Sequence, residues 1–491
     1  MLKRLVIHTS NYGLGSLAVT LASFISFPIF TRVFSVDEYG VLNLISASLM
    51  LLVGIAKLGV QHAVVRFYAE IKAGRRDITV PQFYATVVFG MTGLSLLIAA
   101  GWAVVSQAVP DAWWNDPRVA GLLLLTAVLV AVRTTDSGLL NILRAQERSG
   151  LFSAYSVLKK YAGLGLILVT LFFVSKGLYG FYLATIVAEV GAVAVLAAVM
   201  FRGVRYAPRD FSPGLFRSML VFGIPMIGYE LAGTALAISD RYLIQGLLGS
   251  SDLGIYAAGY NLCEYVQLIL VAAIGQAIMP MYVRTWEEKG VTETARFIQS
   301  SLHYYLLLGL PVVAGLSAVG EDLLVLLASE KFRASAGVIP YIIAGLVLDG
   351  MVVMVGAGLY IHKRTVALAA LVVASTVLNV VLNLILIPKF GLVGAAAATL
   401  IAYLVLVASI HVAAARHLPI VFPWASLAKF GVMAVAMYLA VSQVRIGHDV
   451  VNLVVKVVVG GALYALLVVL LDRQARGVLR TGLGKLYRVG A

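Results

Sequence analysis

Cysteine is nearly absent: the 491 residues include one, Cys263, inside an apolar run. A single thiol makes no intramolecular disulfide and no thiolate metal cluster, so disulfide-stapled and zinc-ribbon classes are excluded and no metal site is expected. Charge is scarce too, at 12% of residues. No G-x-x-x-x-G-K-[ST] phosphate loop occurs, so the chain is not expected to hydrolyse ATP. The N-terminal MLKRLVIHTSNYG has two basic residues but runs into a long span without an A-x-A-like site, which predicts a retained first helix instead of a cleaved signal.

Apolar length is what the chain does have. Hydrophobic residues make up 61% of it, and the mean hydropathy is +0.97. No soluble domain of this size could cover such a core, so the chain is an integral membrane protein. The apolar runs reach roughly 20 residues, the length that crosses a hydrocarbon core as a helix, and they lack the period-two alternation of barrel strands. The expected fold class is therefore an all-α membrane bundle of about fourteen spans.

Three similarities divide those spans. The turn at Phe30 to Asn43 is echoed at Ala235 to Ala257, with Gly40 and Gly254 separated by 254 − 40 = 214 residues. KGLYGFYLATIVAE from Lys176 matches FGLVGAAAATLIAY from Phe390, placing Gly177 over Gly391, Gly180 over Gly394 and Thr185 over Thr399, again 214 apart. LRAQERS at Leu143 matches LYIHKRT at Leu359, two residues off that register. A duplication is the economical reading. It gives a six-helix lobe at 1–205, a second at 206–420, and two further spans with a basic tail at 421–491. An even number of helices per copy puts both copies in the same orientation, related by a twofold axis along the membrane normal. The two lobes would then meet at a midplane cleft.

Basic residues fix the expected orientation. One set of loops carries Lys3, Arg4, Arg66, Lys72, Arg75, Arg76, Arg144, Arg148, Lys159, Lys160, Arg205, Arg284, Lys363, Arg364, Arg416, Lys429, Arg480, Lys485 and Arg488, among others. The other holds only Arg32, Arg118, Lys176, Lys331, Arg333, Lys389 and Arg445. Both termini are thus expected in the cytoplasm. The same asymmetry accounts for most of the net charge, 37 − 23 = +14, so no nucleic-acid partner is needed.

An ionisable side chain at mid-span costs on the order of 3 kcal/mol, which makes each one a functional candidate. The candidates are Lys57, Arg133, Asp136, Glu189, Glu230, Asp240, Arg241, Glu264, Asp349 and Lys456, with Asn261 and Gln276 among the polar positions nearby. Arg133 and Asp136, three apart on one face, make either a mutual pair or a substrate site; an ion pair of Asp349 with Arg133 is a third option. Asp240 and Arg241 suit either an outer gate or interfacial anchoring, and Lys456 suits anchoring. Lys57, Glu230 and Glu264 have no sequence-local partner and would face the cleft. Arg66 and Arg284 would flank its inner mouth, where guanidinium groups suit a lipid phosphate, although taken alone ordinary positive-inside topology is the preferred reading of them.

The six-plus-six-plus-two layout, FTRVFSVDEYGVLNL at Phe30, SDRYLIQGLLGSSDLGIYAAGYNL at Ser239 and EDLLVLLASEKFRASAGVIP at Glu321 resemble the polysaccharide-transport members of the multidrug/oligosaccharidyl-lipid/polysaccharide flippase superfamily, most nearly the Wzx-type oligosaccharide flippases. The resemblance implies a bacterial inner-membrane flippase that moves an undecaprenyl-diphosphate-linked oligosaccharide outward by alternating access. It further implies coupling to an H+ or Na+ gradient, no other cofactor, a monomer among membrane lipids, and a polysaccharide polymerase and chain-length machinery as partners. Carried over by position, Lys57, Arg66, Arg133, Arg284 and Asn261 would line the diphosphate and sugar site. Asp136, Glu230, Asp240, Arg241, Glu264 and Asp349 would serve ion coupling or gating. Spans 13 and 14 would offer a groove for the lipid tail. The alternatives are a multidrug/cation antiporter of the multidrug-extrusion branch and a peptidoglycan lipid-precursor flippase. A lipid-modifying enzyme is disfavoured, because the outer loops around Ala108 to Arg118 and Glu321 to Ala336 are short and lack a catalytic constellation.

Overall fold

The computed structural model describes residues 2–202, 207–447, 449–474 and 476, with side chains outside 2–10, 111–112, 225–226, 269–277 and 449. Arg205, Arg480, Lys485 and Arg488 lie outside the described residues, as do the side chains of Lys3, Arg4 and Gln276. The elements are helical throughout. In order they are α1 (Leu2–Val33), α2 (Val36–Lys57), α3 (Val60–Lys72), α4 (Val80–Ala108), α5 (Asp111–Trp114), α6 (Arg118–Ala145), α7 (Ser149–Val169), α8 (Leu178–Met200) and α9 (Pro213–Leu247). They continue as α10 (Ser250–Ala328), α11 (Ile339–Val355), α12 (Ala357–Ile361), α13 (Thr365–Ala415), α14 (Trp424–Ser442) and α15 (Asp449–Leu471).

Local chemistry sets the helix starts. The Ser35 hydroxyl accepts from the Glu38 amide at 3.3 Å while Glu38 Oε2 accepts from the Ser35 amide at 3.0 Å, a reciprocal cap that opens α2 within the VFSVDEYG turn. Thr79 and Gln82 repeat the device at α4.

Among the described residues, eleven helices are long and apolar enough to cross a membrane, or twelve if Pro213–Ile224 and Ile227–Leu247, bent by 54°, form one span. Fourteen were expected. α13 runs through a single non-helical glycine, Gly391 (φ 57°), and so counts as one element where two spans were expected, while part of the expected span Gly254 to Met281 lies outside the residues whose side chains are described; α10 likewise passes through a non-helical Gly290 (φ 76°).

The chain packs as two units, 1–254 and 255–491. In the first, α6 is the hub, touching α2, α3, α4, α7 and α8, while α9 lies on α2, α3 and α4. Its core runs through Val64, Phe67, Phe83, Met91, Leu139 and Met219. In the second, α11 packs on α13, and α14 pairs with α15.

Backbone conformation follows the spacing of the expected repeat. Left-handed residues recur at the same offsets: Asn115 (φ 50°) and Ser329 (φ 91°) are 329 − 115 = 214 apart, Gly177 (φ 118°) and Gly391 (φ 57°) are 391 − 177 = 214 apart, and Glu147 (φ 57°) and Lys363 (φ 56°) are 363 − 147 = 216 apart. Non-glycine residues seldom adopt this conformation, so chance recurrence is a poor account of it. Within the first unit, Gly40 packs on the carbonyl of Ser250 and Gly254 packs on that of Val36. Since 250 − 36 and 254 − 40 both equal 214, the contact is reciprocal in the way a local twofold requires.

Candidate functional site

α2 does not continue into α3. Leu58 (φ 40°) and Gly59 (φ 74°) are both left-handed, and the Leu58 amide turns back to the Ile55 carbonyl at 3.0 Å. Gly59 lies against Gly223 of α9 so closely that a Cβ on Gly59 would sit 2.7 Å from the Gly223 Cα. Gly223 directly precedes the bend in α9, where the sequence carries Pro225. Two interrupted helices therefore cross at their breaks. Non-helical backbone at membrane depth persists where it is buried in protein or lines a cavity, and transporters place ligand groups at such breaks.

Polar side chains gather there. Glu230 accepts from Gln61 Nε2 at 3.3 Å and lies 3.3 Å from His62 Nε2, with Glu230 and His62 side chains 45% and 37% exposed. Lys57, half-buried on the last turn of α2, makes no ion pair among the described residues. Glu230 has no sequence-local partner; the break supplies two by turning α3 toward α9.

A second charged site lies inside the first unit. A cavity of about 370 Å³ is bounded by residues of α1, α2, α6, α7 and α8 and is largely apolar apart from five ionisable side chains. Arg133 Nε and Nη2 grip the Glu189 carboxylate at 3.0 and 2.8 Å, a bidentate pair between α6 and α8. Asp136 accepts from Tyr155 Oη at 2.5 Å and from Lys159 Nζ at 2.8 Å, joining α6 to α7. Arg133 and Asp136 therefore do not neutralise each other, because three residues along α6 point them at different neighbours. Lys160 lines the same cavity with no ion pair among the described residues. Three cations face two carboxylates. Lys159 and Lys160 read in sequence as ordinary cytoplasmic-rim residues; the signal for them was the acidic pair on other helices, which carries no local spacing.

The remaining candidates scatter. Arg66 and Arg284 are exposed and pair one turn ahead on their own helices, with Glu70 at 2.9 Å and Glu288 at 2.7 Å. Arg66 also stacks on Phe222, 4.8 Å from the ring centroid. Asp240 and Arg241 are 1% and 8% exposed, so Arg241 is packed inside and does not extend to an interface as an anchor would. In the second unit, Asp349 accepts from Gln267 at 3.5 Å, Asn261 is half-buried, and Glu264 is exposed with no ion pair among the described residues. Lys456 is no free anchor either: it donates to Asp322 of α10 at 2.6 Å. Nearby, Lys429 pairs with Asp472, and His303 Nδ1 meets Ser426 Oγ at 2.8 Å, so three polar contacts hold α14 and α15 to α10 or to each other. No group of three metal-ligating side chains occurs among the described residues.

At the α9–α10 turn, Arg118 bridges Asp37 at 2.5 Å and Asp116 at 2.6 Å, and Asp116 accepts from Ser250 Oγ at 2.9 Å. Burial pushes the Asp116 carboxyl up, but the hydrogen bonds from Arg118 and Ser250 outweigh it and hold that carboxyl below the ordinary aspartate range. The network ties the turn carrying Ser250 to the N-terminus of α2, beside the Gly40 and Gly254 crossing.

Relatives and structural neighbours agree with this fold. A probable low-salt glycan biosynthesis flippase of Haloferax volcanii is 22% identical over 386 residues, covering 78% of this chain and 77% of the relative. The succinoglycan biosynthesis transport protein ExoT of Rhizobium meliloti is 23% identical over 328 residues, covering 66% of this chain and 63% of its own. Among solved structures, the lipid II flippase MurJ in an inward closed conformation superposes with a TM-score of 0.76 at 14% identity, over 94% of this chain and 99% of that one. An inward-facing multidrug resistance MATE transporter gives 0.65 at 14% identity, over 81% and 97%. These structural likenesses establish the fold. The family model for polysaccharide biosynthesis proteins matches residues 7–286, more than half of the sequence, and the chain belongs to that family.

Proposed function

We propose that the protein is a flippase of surface-polysaccharide assembly that carries an undecaprenyl-diphosphate-linked oligosaccharide from the cytoplasmic to the periplasmic leaflet of a bacterial inner membrane. Both termini face the cytoplasm, and transport proceeds by alternating access coupled to an H+ or Na+ gradient. The observation that carries this reading is a chain of the polysaccharide biosynthesis family with paired and unpaired charges enclosed among helices long and apolar enough to cross a membrane, in the Arg133–Glu189 and Asp136–Lys159 cavity. Such charges cost folding energy without adding stability over an apolar core, which is reasonable where their pairing changes during a cycle.

Lys57, Arg66 and Arg284 are the cations proposed to meet the diphosphate, with Arg133 and Asn261 beside the sugar. Asp136 and Glu230 are proposed to couple the ion, with Glu264, Asp349, Asp240 and Arg241 serving coupling or gating. Lys57 ends α2 at the α2–α3 break, and a modest change of backbone angle there would re-aim Gln61 and His62 relative to Lys57 and away from Glu230 of α9. A polymerase and chain-length proteins would receive the product.

Complementation of a strain lacking its oligosaccharide flippase tests the reading. Wild type restores surface glycan, while Lys57→Ala and Arg284→Ala lose it at unchanged membrane levels. Normal glycan in both variants removes those cations from the mechanism. Rescue of a lipid II flippase depletion instead, or drug resistance without glycan, assigns the chain to a different substrate.

A further inference from the structure

The second unit carries a groove that the proposed transport cycle leaves unused. It lies where α13 begins and ends, has a volume of about 750 Å³, and is lined by Leu359, Val405 and Val412 on its apolar side and by Arg364, Arg416 and His417 on its polar side. Among the described residues no carboxylate lines it. Both arginines are exposed and make no ion pair among the described residues, unlike Arg66, Arg284, Arg296 and Arg333, each of which has an acidic neighbour. His417 stacks on His362 at 5.1 Å between ring centroids, and His362 meets Trp286 edge-on at 5.3 Å, which fixes the polar rim against the end of another helical segment. Tryptophan at such a position is the ordinary residue of a headgroup layer. Val412 of the groove wall is 64% exposed, and Val366, two residues from Arg364 in sequence, is 82% exposed.

From this arrangement we infer that the groove binds an anionic phospholipid, its phosphodiester between Arg364 and Arg416 and one acyl chain along Val405 and Val412. Charge complementarity carries the assignment. Two unpaired guanidinium groups beside an apolar wall match a phosphate ester of net negative charge, and a groove without a carboxylate offers nothing to the quaternary ammonium of a zwitterionic lipid. Basic pockets between transmembrane helices at the cytoplasmic side are recurrent phospholipid sites. The arginine pair spans the two ends of α13, so a bound headgroup would tie together segments otherwise separated by the turn at Gly391.

The test uses the purified full chain in detergent, titrated with dioleoylphosphatidylglycerol or dioleoylphosphatidylcholine, with thermal midpoint and native mass spectrometry as readouts. Phosphatidylglycerol is expected to raise the midpoint and stay bound through desolvation, and phosphatidylcholine to do neither. Arg364→Gln/Arg416→Gln should weaken phosphatidylglycerol binding on the order of tenfold or more. Lys389→Gln/Arg445→Gln removes the same charge from exposed positions elsewhere in this unit and should leave binding unchanged. The inference is overturned if the two lipids bind alike, if the control pair weakens binding as much as the arginine pair, or if undecaprenyl diphosphate displaces phosphatidylglycerol from this groove, which would make it a substrate site.

Discussion

Gly40→Ala is the sharpest perturbation this fold allows. A Cβ at residue 40 would lie 2.8 Å from the Gly254 amide nitrogen and 2.9 Å from the Ser250 carbonyl carbon, and nearer still to that carbonyl oxygen. Ordinary contact begins at 3.4 Å, so the carbonyl carbon alone demands a separation of 3.4 − 2.9 = 0.5 Å. The obstructing atoms are backbone and cannot rotate away. Overpacking of this kind costs about 3 kcal/mol, roughly a hundredfold in the folding equilibrium. Gly254→Ala should cost as much, because its Cβ would meet Val36 in the mirrored contact, with the Val36 carbonyl carbon at 2.9 Å. The double variant should cost less than the sum, since one opening relieves both clashes. The assay is thermal unfolding of detergent-purified protein followed by intrinsic fluorescence, with Gly101→Ala as control, where nothing lies within 4 Å of the added atom. A Gly40→Ala midpoint equal to that of Gly101→Ala would refute the crossing and the local twofold read from it.

Further outcomes follow from the ion pairs. Asp136→Asn leaves Lys159 without a carboxylate in a site where that lysine side chain is 21% exposed; the expected loss is about 3 kcal/mol, and Asp136→Asn/Lys159→Gln should recover part of it in the same unfolding assay. Asp116 titrates below its ordinary value, so its contribution is complete above about pH 4 and is lost as pH falls through the depressed folded value. The midpoint gap between wild type and Asp116→Asn should therefore stay constant from pH 7 to about pH 4 and close below it; a gap that closes between pH 7 and 5 would contradict the Arg118 bridge. Lys456→Asp should destabilise the attachment of α15, and Lys456→Asp/Asp322→Lys should restore it, read as resistance of the 421–471 segment to limited proteolysis.

Much of the fold was legible because transmembrane architecture is written in apolar length. Gly40 and Gly254 stood out in sequence and prove to be a shared contact. The joining of spans was less legible, since at Gly391 a single non-helical residue links two helical segments that the sequence reads as separate spans. Charges were visible one by one, but pairing is a property of neighbouring helices. Arg133 sits three residues from Asp136 yet reaches Glu189, 56 positions on, and Lys456 reaches back to Asp322. Lys160 is the clearest case of what spacing conceals: a rim lysine by topology, it becomes a cavity residue because α7 turns that face toward α6 and α8. The α2–α3 break was hidden for a different reason, since Leu58 is an unremarkable residue for a helix, yet it adopts φ 40° next to the crossing of Gly59 with Gly223.

Transport itself is measured most directly in proteoliposomes holding the purified chain and a fluorescent undecaprenyl-diphosphate oligosaccharide, with an impermeant reductant to quench the outer leaflet. Wild type should expose the inner-leaflet pool under an imposed H+ or Na+ gradient, and Asp136→Asn should not, at equal reconstitution. A pool that stays protected in wild type under both gradients, while a lipophilic cation is exchanged across the same membrane, would contradict the account.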